Sequence, residues 1–332
     1  MITARVEVAI DTLIVSMLVC TLGGCETPFD ARSQLQKDLI VYSVLSNDRQ
    51  CQFIRIGQTF MTPVYDTQAV SFIANARVTV TDGLTSMTFR DTTLRETGPD
   101  GLPSLVRVYA CVPFLARQGT KYQLQVEAEG FRPVQSAIQL PASPVFGLWP
   151  MTNEVLDNPS SYQNDEDILF PLKLGSETHG YVARLYVVYQ LLENNRWREA
   201  RIEVPTALRY GEWVDSLVSL KYGLYASMKP RPSNAVASGA YRNRLYQLVL
   251  IHVYESTPRT TALVFDRVVF ELLQAETNLY SYYMTVHNFG DPQSTRLDDP
   301  IFSNISNGVG LFGGYSIDSV VHRLSASFAF NR

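Results

Sequence analysis

Hydrophobic and polar residues alternate along much of the chain, in short segments separated by turn-forming residues. In the segment ARVTVT (residues 76–81), alanine and valine occupy every second position, with arginine and threonine between them. This period of two predicts a strand with one buried face, and Asp82-Gly83 then predicts a hairpin turn. About seven such segments lie between residues 38 and 142, which is typical of an immunoglobulin-like β-sandwich.

Longer apolar segments follow the sequence PASP (residues 141–144) and predict a second, larger domain over residues 143–332. Four strands are predicted there, in two pairs: residues 181–193 with 196–204, and residues 245–255 with 262–272. A helix is predicted near residues 277–288, because apolar residues recur there at helical spacing and Gly290-Asp291-Pro292 follows. We therefore expect a mainly β fold with two β-sandwich-like domains, the first immunoglobulin-like and the second larger with one packed helix.

An apolar run at residues 12–21 precedes the sequence Leu22-Gly23-Gly24-Cys25. The run has the length of a signal-peptide core and is shorter than the ~20 residues that a membrane-spanning helix needs. Two small residues before a cysteine, with leucine one position earlier, form the bacterial lipoprotein cleavage signal. The alternative is a buried N-terminal strand with an incidental cysteine.

The N-terminal signal sets the predicted organisation of the chain. We expect a signal peptide over residues 1–24, a lipidated tether over residues 25–37 that begins at Cys25, and the first folded domain over residues 38–142. Lipidation at Cys25 predicts anchoring to the membrane through acyl chains rather than through a spanning segment.

Export to an oxidising compartment leaves two cysteines in the folded chain, Cys51 and Cys111. They are a candidate disulfide of the first domain, and the alternative is two separate buried thiols. Their spacing matches no zinc-binding pattern.

The glycine-rich segment at residues 308–315 contains a formal G-x-G-x-x-G pattern. A dinucleotide site needs a strand before this pattern and a helix after it, whereas polar residues precede it here and no helical pattern follows. We therefore expect a structural plug of the second domain, in which Leu311 and Phe312 are buried.

The sequence predicts no catalytic residue, no metal site and no cofactor. It contains four histidines: His179, His252, His287 and His322. None lies in a metal-binding motif, no G-x-S-x-G motif is present, and we expect His252 to be a core or face residue of a strand. The formal net charge of −4 argues against a nucleic-acid partner.

Several stretches carry a resemblance to a known family: the lipoprotein signal at Cys25, residues 39–48 followed by 74–83, residues 119–131, and residues 303–316. In this order they resemble the domain-of-unknown-function family DUF4249 of Bacteroidota cell-envelope lipoproteins. The resemblance implies an outer-membrane lipoprotein, often encoded near TonB-dependent receptors. It implies no reaction and no catalytic residues.

We therefore expect a non-enzymatic protein that is anchored by lipid in the bacterial outer membrane. It would act as an accessory or ligand-binding partner of an outer-membrane, TonB-dependent transporter. One alternative is a structural or adhesion module of the cell surface, and a less favoured one is a glycan-active enzyme. Only Glu26 and Asp30 are acidic in the tether, which leaves open whether the protein faces the periplasm or the cell surface.

Overall fold

The chain is mainly β in the computed structural model, which describes residues 37–59, 72–97, 101, 103–147, 150–161, 163, 166–208, 223–288 and 302–325. The strands of this described part are β1 (Leu39–Ser46), β2 (Gln52–Gln58), β3 (Arg77–Thr81), β4 (Ser86–Thr97), β5 (Pro103–Cys111), β6 (Lys121–Glu127), β7 (Val134–Gln139), β8 (Val145–Phe146), β9 (Asp167–Lys173), β10 (Gly180–Glu193), β11 (Arg196–Glu203), β12 (Ala207–Leu208), β13 (Gly223–Leu224), β14 (Lys229–Pro230), β15 (Val236–Arg242), β16 (Leu263–Ala275) and β17 (Gly308–Arg323). Its α-helices are α1 (Pro150–Asp157), α2 (Asn243–Ser256) and α3 (Thr277–Asn288).

Most strands belong to one large sheet, in the order β11-β10-β16-β17-β1-β2-β5-β4-β3-β6-β7. The last strand, β17, joins strands that lie on either side of the predicted boundary between residues 142 and 143. Its residues 308–315 pair in parallel with β1, and its residues 315–323 pair antiparallel with β16. Backbone hydrogen bonding therefore continues from the first predicted domain into the second.

The first hydrophobic core lies between two layers that share strand β4. Residues 86–89 of β4 pair with β3, and residues 90–97 pair with β5, so the strand turns the corner between the layers. Both layers contribute alternate side chains to the core, including Val78, Val80, Leu124, Val126, Leu39, Val41, Ile54 and Ile56. Strands β1 to β7 line this core, as the alternation predicts, and β17 adds Phe312 to it.

The second hydrophobic core lies where a three-stranded sheet, β15-β9-β8, packs on β10 and β16. Phe170 of β9 stacks on Phe270 of β16 with ring centroids 4.4 Å apart. Helix α2 adds Tyr246 and Val249, both fully buried. Sheet-on-sheet packing is therefore present here too, with helices added.

Two helices, α1 and α2, form in the second half of the chain where the sequence did not predict a helix. Residues 245–255, predicted as a strand, form helix α2, because Leu245, Val249 and Val253 share one buried face at helical spacing. His252 is consequently an exposed helix residue and not a strand residue. Helix α1 is an addition to the prediction, whereas α3 has the predicted bounds of 277–288.

The glycine-rich segment is a strand and not a plug of the second domain. Phe312 is fully buried, as expected, but it lies in the first core. Leu311 is buried on the opposite face of β17, where Leu279 of α3 packs nearby against Gly313. Gly310 allows the pairing with β1, because its φ is +124° and an added Cβ would lie 2.0 Å from the carbonyl oxygen of Val41.

Candidate functional site

The predicted lipidation site, Cys25, lies outside the described residues, as does most of the predicted tether. The folded unit that follows begins at Asp38. No helix in the described part of the chain is both long enough and apolar enough to cross a membrane.

Of the two remaining cysteines, Cys51 directly precedes strand β2 and Cys111 is the last residue of β5. Cys111 pairs directly with Gln52, the residue after Cys51. Both thiols are free and partly buried. Burial raises the pKa of Cys51 and of Cys111, and the nearby Cys51 raises the pKa of Cys111 further. The register thus brings together two residues that are 60 positions apart, and the disulfide stays a prediction.

A buried polar side chain, Gln274, contacts three other segments of the chain near the predicted domain boundary. Its Oε1 accepts hydrogen bonds from the Gly175 N–H at 2.8 Å and the Thr178 hydroxyl at 3.0 Å. Its Nε2 donates to the carbonyl oxygen of Ala142 at 3.0 Å and lies 3.4 Å from the Ser316 hydroxyl oxygen. Gln274 is 0% exposed, so these bonds satisfy a buried amide.

A second buried polar side chain, Glu276, connects helix α3 to strand β17 through hydrogen bonds. Its Oε2 accepts the N–H of Asn278 at 2.8 Å, and its Oε1 accepts the N–H groups of Leu279 at 2.8 Å and Gly314 at 3.2 Å. The carboxylate therefore caps the helix N-terminus. Burial raises the pKa of Glu276, and the hydrogen bonds from Asn278, Leu279 and Gly314 oppose that rise.

A polar cleft of about 260 Å³ opens beside Glu276, between strands β6 and β7 and the start of α3. Its polar lining consists of Lys121, Gln139, Glu177, Glu276, Thr277 and Asn278. We call it the junction cleft, because its lining comes from both sides of the predicted domain boundary. The cleft is polar and smaller than the apolar pockets of roughly 300–1,000 Å³ that hold most ligands, so it suits only a small polar ligand.

His179, for which the sequence predicts no role, lies at the edge of the junction cleft, where it contacts Thr277. The Thr277 hydroxyl oxygen lies 2.8 Å from Nδ1 of His179. Glu177 adopts a φ of +63°, in the left-handed region that non-glycine residues rarely occupy. Lys121, Glu177 and Thr277 are exposed, so the cleft offers a cation, a carboxylate and a hydroxyl to a small polar ligand. The oxygens of Glu276 are already engaged by N–H donors, which favours binding over proton transfer in this cleft.

A separate apolar pocket of about 190 Å³ lies beside the second core. Phe170, Phe270 and Val320 line it, with His322 at its margin. Nε2 of His322 lies 3.1 Å from Oδ1 of Asp157, and the same oxygen accepts the Ser325 N–H at 3.0 Å. This histidine is therefore part of a contact that holds the end of β17 against α1.

Few other residues in the part of the chain that the structure describes are candidates for metal binding or catalysis. Within it, no three His, Cys, Asp or Glu residues are grouped so that they could hold a metal ion. The side chain of His287 lies outside the described part. Neither the junction cleft nor the buried amide of Gln274 was predicted from the sequence. Gln274 follows Val268, Phe270 and Leu272 at an inward position of β16, and a polar residue in such a row signals a buried polar contact.

Comparison with known proteins gives a family but no activity. No functionally curated protein matches the chain. One solved structure that it matches is the C-terminal globular domain of an oligosaccharyltransferase from Pyrococcus abyssi, with 13% sequence identity and a TM-score of 0.16. That match covers 87% of this chain and 49% of that chain, so the protein spans about half the length of the matched structure. A family model described as "Domain of unknown function (DUF4249)" matches residues 26–320. The chain belongs to the DUF4249 family.

Proposed function

We propose that this protein is a non-enzymatic lipoprotein of the bacterial outer membrane, anchored through Cys25. In this role it is an accessory or ligand-binding partner of a TonB-dependent transporter. The observation that carries the proposal is that the family match begins at residue 26, directly after the cysteine of the lipoprotein signal. In this proposal residues 25–37 are the tether between the lipid and the compact unit that begins at Asp38.

The junction cleft is the candidate ligand site in this proposal. Lys121, Glu177 and Thr277 carry polar groups there that are exposed to solvent. The buried carboxylate beside them, Glu276, is already hydrogen-bonded within the protein. This division supports a binding surface in which Glu276 fixes the shape and the exposed residues contact the ligand.

Membrane fractionation of the Cys25→Ala variant tests the anchor. We expect the variant to leave the membrane fraction and to lose acyl-chain labelling, because lipidation requires the Cys25 thiol. Cys51→Ala is the matched control and should remain bound and labelled. A Cys25→Ala variant that stays in the membrane fraction with the wild type would contradict the proposal.

Crosslinking in intact cells, followed by capture and mass spectrometry, tests the partner. We expect an outer-membrane transporter to be enriched with the wild-type protein relative to the Cys25→Ala variant. Lys121→Ala together with Thr277→Ala should leave this crosslink intact, since the cleft is assigned to the ligand. Binding to a surface or glycan without any transporter would favour the adhesion module instead.

A further inference from the structure

Strand β1 is apolar on both of its faces. Its inward side chains, Leu39, Val41 and Leu45, are fully buried in the first core. Its outward side chains include Tyr42, which is 44% exposed, and Val44, which is 37% exposed. An antiparallel layer with one face in water alternates apolar and polar residues, so the outward face of β1 has the composition of a covered surface.

Helix α3 covers only part of this outward face. Leu279 packs near Gly313 on the β17 side. Further along, the rings of Tyr42 and Tyr282 meet edge to face with centroids 6.5 Å apart, and Tyr282 meets Phe302 in the same way at 6.5 Å. Val286, one helical turn after Tyr282, is 48% exposed.

These residues define one aromatic patch, consisting of Tyr42, Val44, Tyr282, Val286 and Phe302. A cationic residue lies beside it, because Arg55 pairs directly with Tyr42 on the neighbouring strand β2 and is exposed. Tyrosine is enriched at the boundary between lipid headgroups and acyl chains, phenylalanine occurs on apolar faces that enter this boundary, and arginine is attracted to anionic headgroups.

The patch lies close in sequence to the proposed lipid anchor. Tyr42 follows Lys37 by five residues, which is at most about 17 Å of extended chain. The tether between Cys25 and Lys37 spans twelve residues, or about 40 Å when fully extended. Even when fully extended, the chain from Cys25 to Tyr42 would span at most about 60 Å, so lipidation at Cys25 would keep the aromatic patch within that distance of the bilayer surface.

We propose that the aromatic patch docks on the phospholipid surface of the membrane that holds the anchor. This inference rests on the proposed lipidation of Cys25. Docking would fix the orientation of the folded unit relative to the membrane, because it adds a second point of attachment to the lipid anchor. It would also cover the outward face of β1 that α3 leaves exposed.

Hydroxyl-radical footprinting of the lipidated protein tests the docking directly. The full chain, purified from membranes, is reconstituted in vesicles of phosphatidylethanolamine and phosphatidylglycerol, and the non-lipidated Cys25→Ala chain in solution is the reference. We expect oxidation of Tyr42 to fall about threefold in vesicles, as for a tyrosine at the lipid interface. Leu84, which is 93% exposed on the β3–β4 turn, should remain equally reactive and is the internal control.

A flotation assay gives a second readout that does not depend on the anchor. The non-lipidated Cys25→Ala chain should bind the same vesicles only weakly and reversibly, at high lipid concentration, so that it still leaves washed membranes. Tyr42→Ser combined with Val286→Ser should weaken this binding about fivefold, because apolar area is removed from the patch. Leu84→Ser is the matched control and should bind like the parent chain. Circular dichroism of each variant separates loss of docking from loss of fold.

The outcomes distinguish this inference from the proposed function. Mass spectrometry of the N-terminal peptide shows whether Cys25 carries lipid, and an unlipidated Cys25 overturns the anchor. A lipidated protein whose Tyr42 stays as reactive in vesicles as in solution overturns the docking alone. Protection of Tyr42 in native envelopes but not in protein-free vesicles would also overturn it, since a protein partner would then cover the patch.

Discussion

At the scale of single residues, Glu276 makes the stability of the fold depend on pH. Burial raises the pKa of its carboxyl group above the value of about 4.3 that it has in an unfolded chain. A raised folded-state pKa contributes stability that is fully present below the unfolded pKa and is lost as pH rises through the folded pKa. We therefore expect the free energy of unfolding of the wild type, relative to Glu276→Gln, to decrease as pH rises.

Urea unfolding of both proteins from pH about 4 to 8, across and above the unfolded pKa, measures this difference. Leu84→Ala, which changes a 93% exposed side chain without a titratable group, is the control and should show a flat difference. A constant difference between the wild type and Glu276→Gln over the whole range would show that burial of Glu276 is not linked to protonation.

The cysteine pair gives a second prediction at this scale. Oxidation of the purified protein should join Cys51 to Cys111, because the pairing of Gln52 with Cys111 places them at neighbouring positions. Closing a loop of about 60 residues stabilises a fold by roughly 4 kcal/mol in the chain-entropy account. Mass spectrometry should show the loss of two hydrogens, and the melting temperature should rise only when both cysteines are present. If Cys51→Ser melts at the same temperature as the oxidised wild type, the pair is not joined.

At the scale of elements, Gly310 decides whether β17 can pair with β1. Any side chain at this position meets the backbone of Val41, since an added Cβ would lie 2.0 Å from its carbonyl oxygen. The φ of +124° adds strain for any other residue. We expect Gly310→Ala to lower the free energy of unfolding by about 3 kcal/mol or more, because both strain and a backbone clash oppose it.

The matched control for this prediction is Gly83→Ala. Gly83 also has a positive φ, +88°, but nothing lies within 4 Å of an added Cβ. Its substitution should therefore cost only the backbone strain, about 1–2 kcal/mol. Chemical denaturation of the two variants separates strain from the close approach of β1 and β17, and equal costs would contradict the role of that approach.

The alternation of apolar and polar residues predicts the strands of the first core well. Other elements were not predicted correctly, for physical reasons. Residues 245–255 contain β-branched valine and isoleucine, which favour strands, yet packing of one helical face on the second core makes them helix α2. Glycine weakens strands in isolation, so β17 is not evident from its sequence. Its partner β1 lies about 270 residues away, and no local pattern reports that pairing. The junction cleft was missed because residues such as Lys121 and Thr277 meet there only through the fold.

At the scale of the whole molecule, β17 belongs to both halves of the fold. Its first half contributes Phe312 to the first core, and its second half pairs with β16 at the edge of the second core. Gln274 adds a buried polar connection between Ala142 and Ser316. A strand shared in this way transmits the loss of one core to the other, so we expect the described fold to unfold as a single unit.

Two substitutions in different cores test this coupling. Phe312→Ala empties part of the first core, and Phe270→Ala removes the ring that stacks on Phe170 in the second. Each should cost about 3–5 kcal/mol, as for other fully buried phenylalanines. Calorimetry should show one transition that both variants shift to lower temperature, while Leu84→Ala, at a 93% exposed position, leaves it in place. Two separate transitions, each moved by only one variant, would instead show that the cores unfold independently and that the shared strand does not couple them.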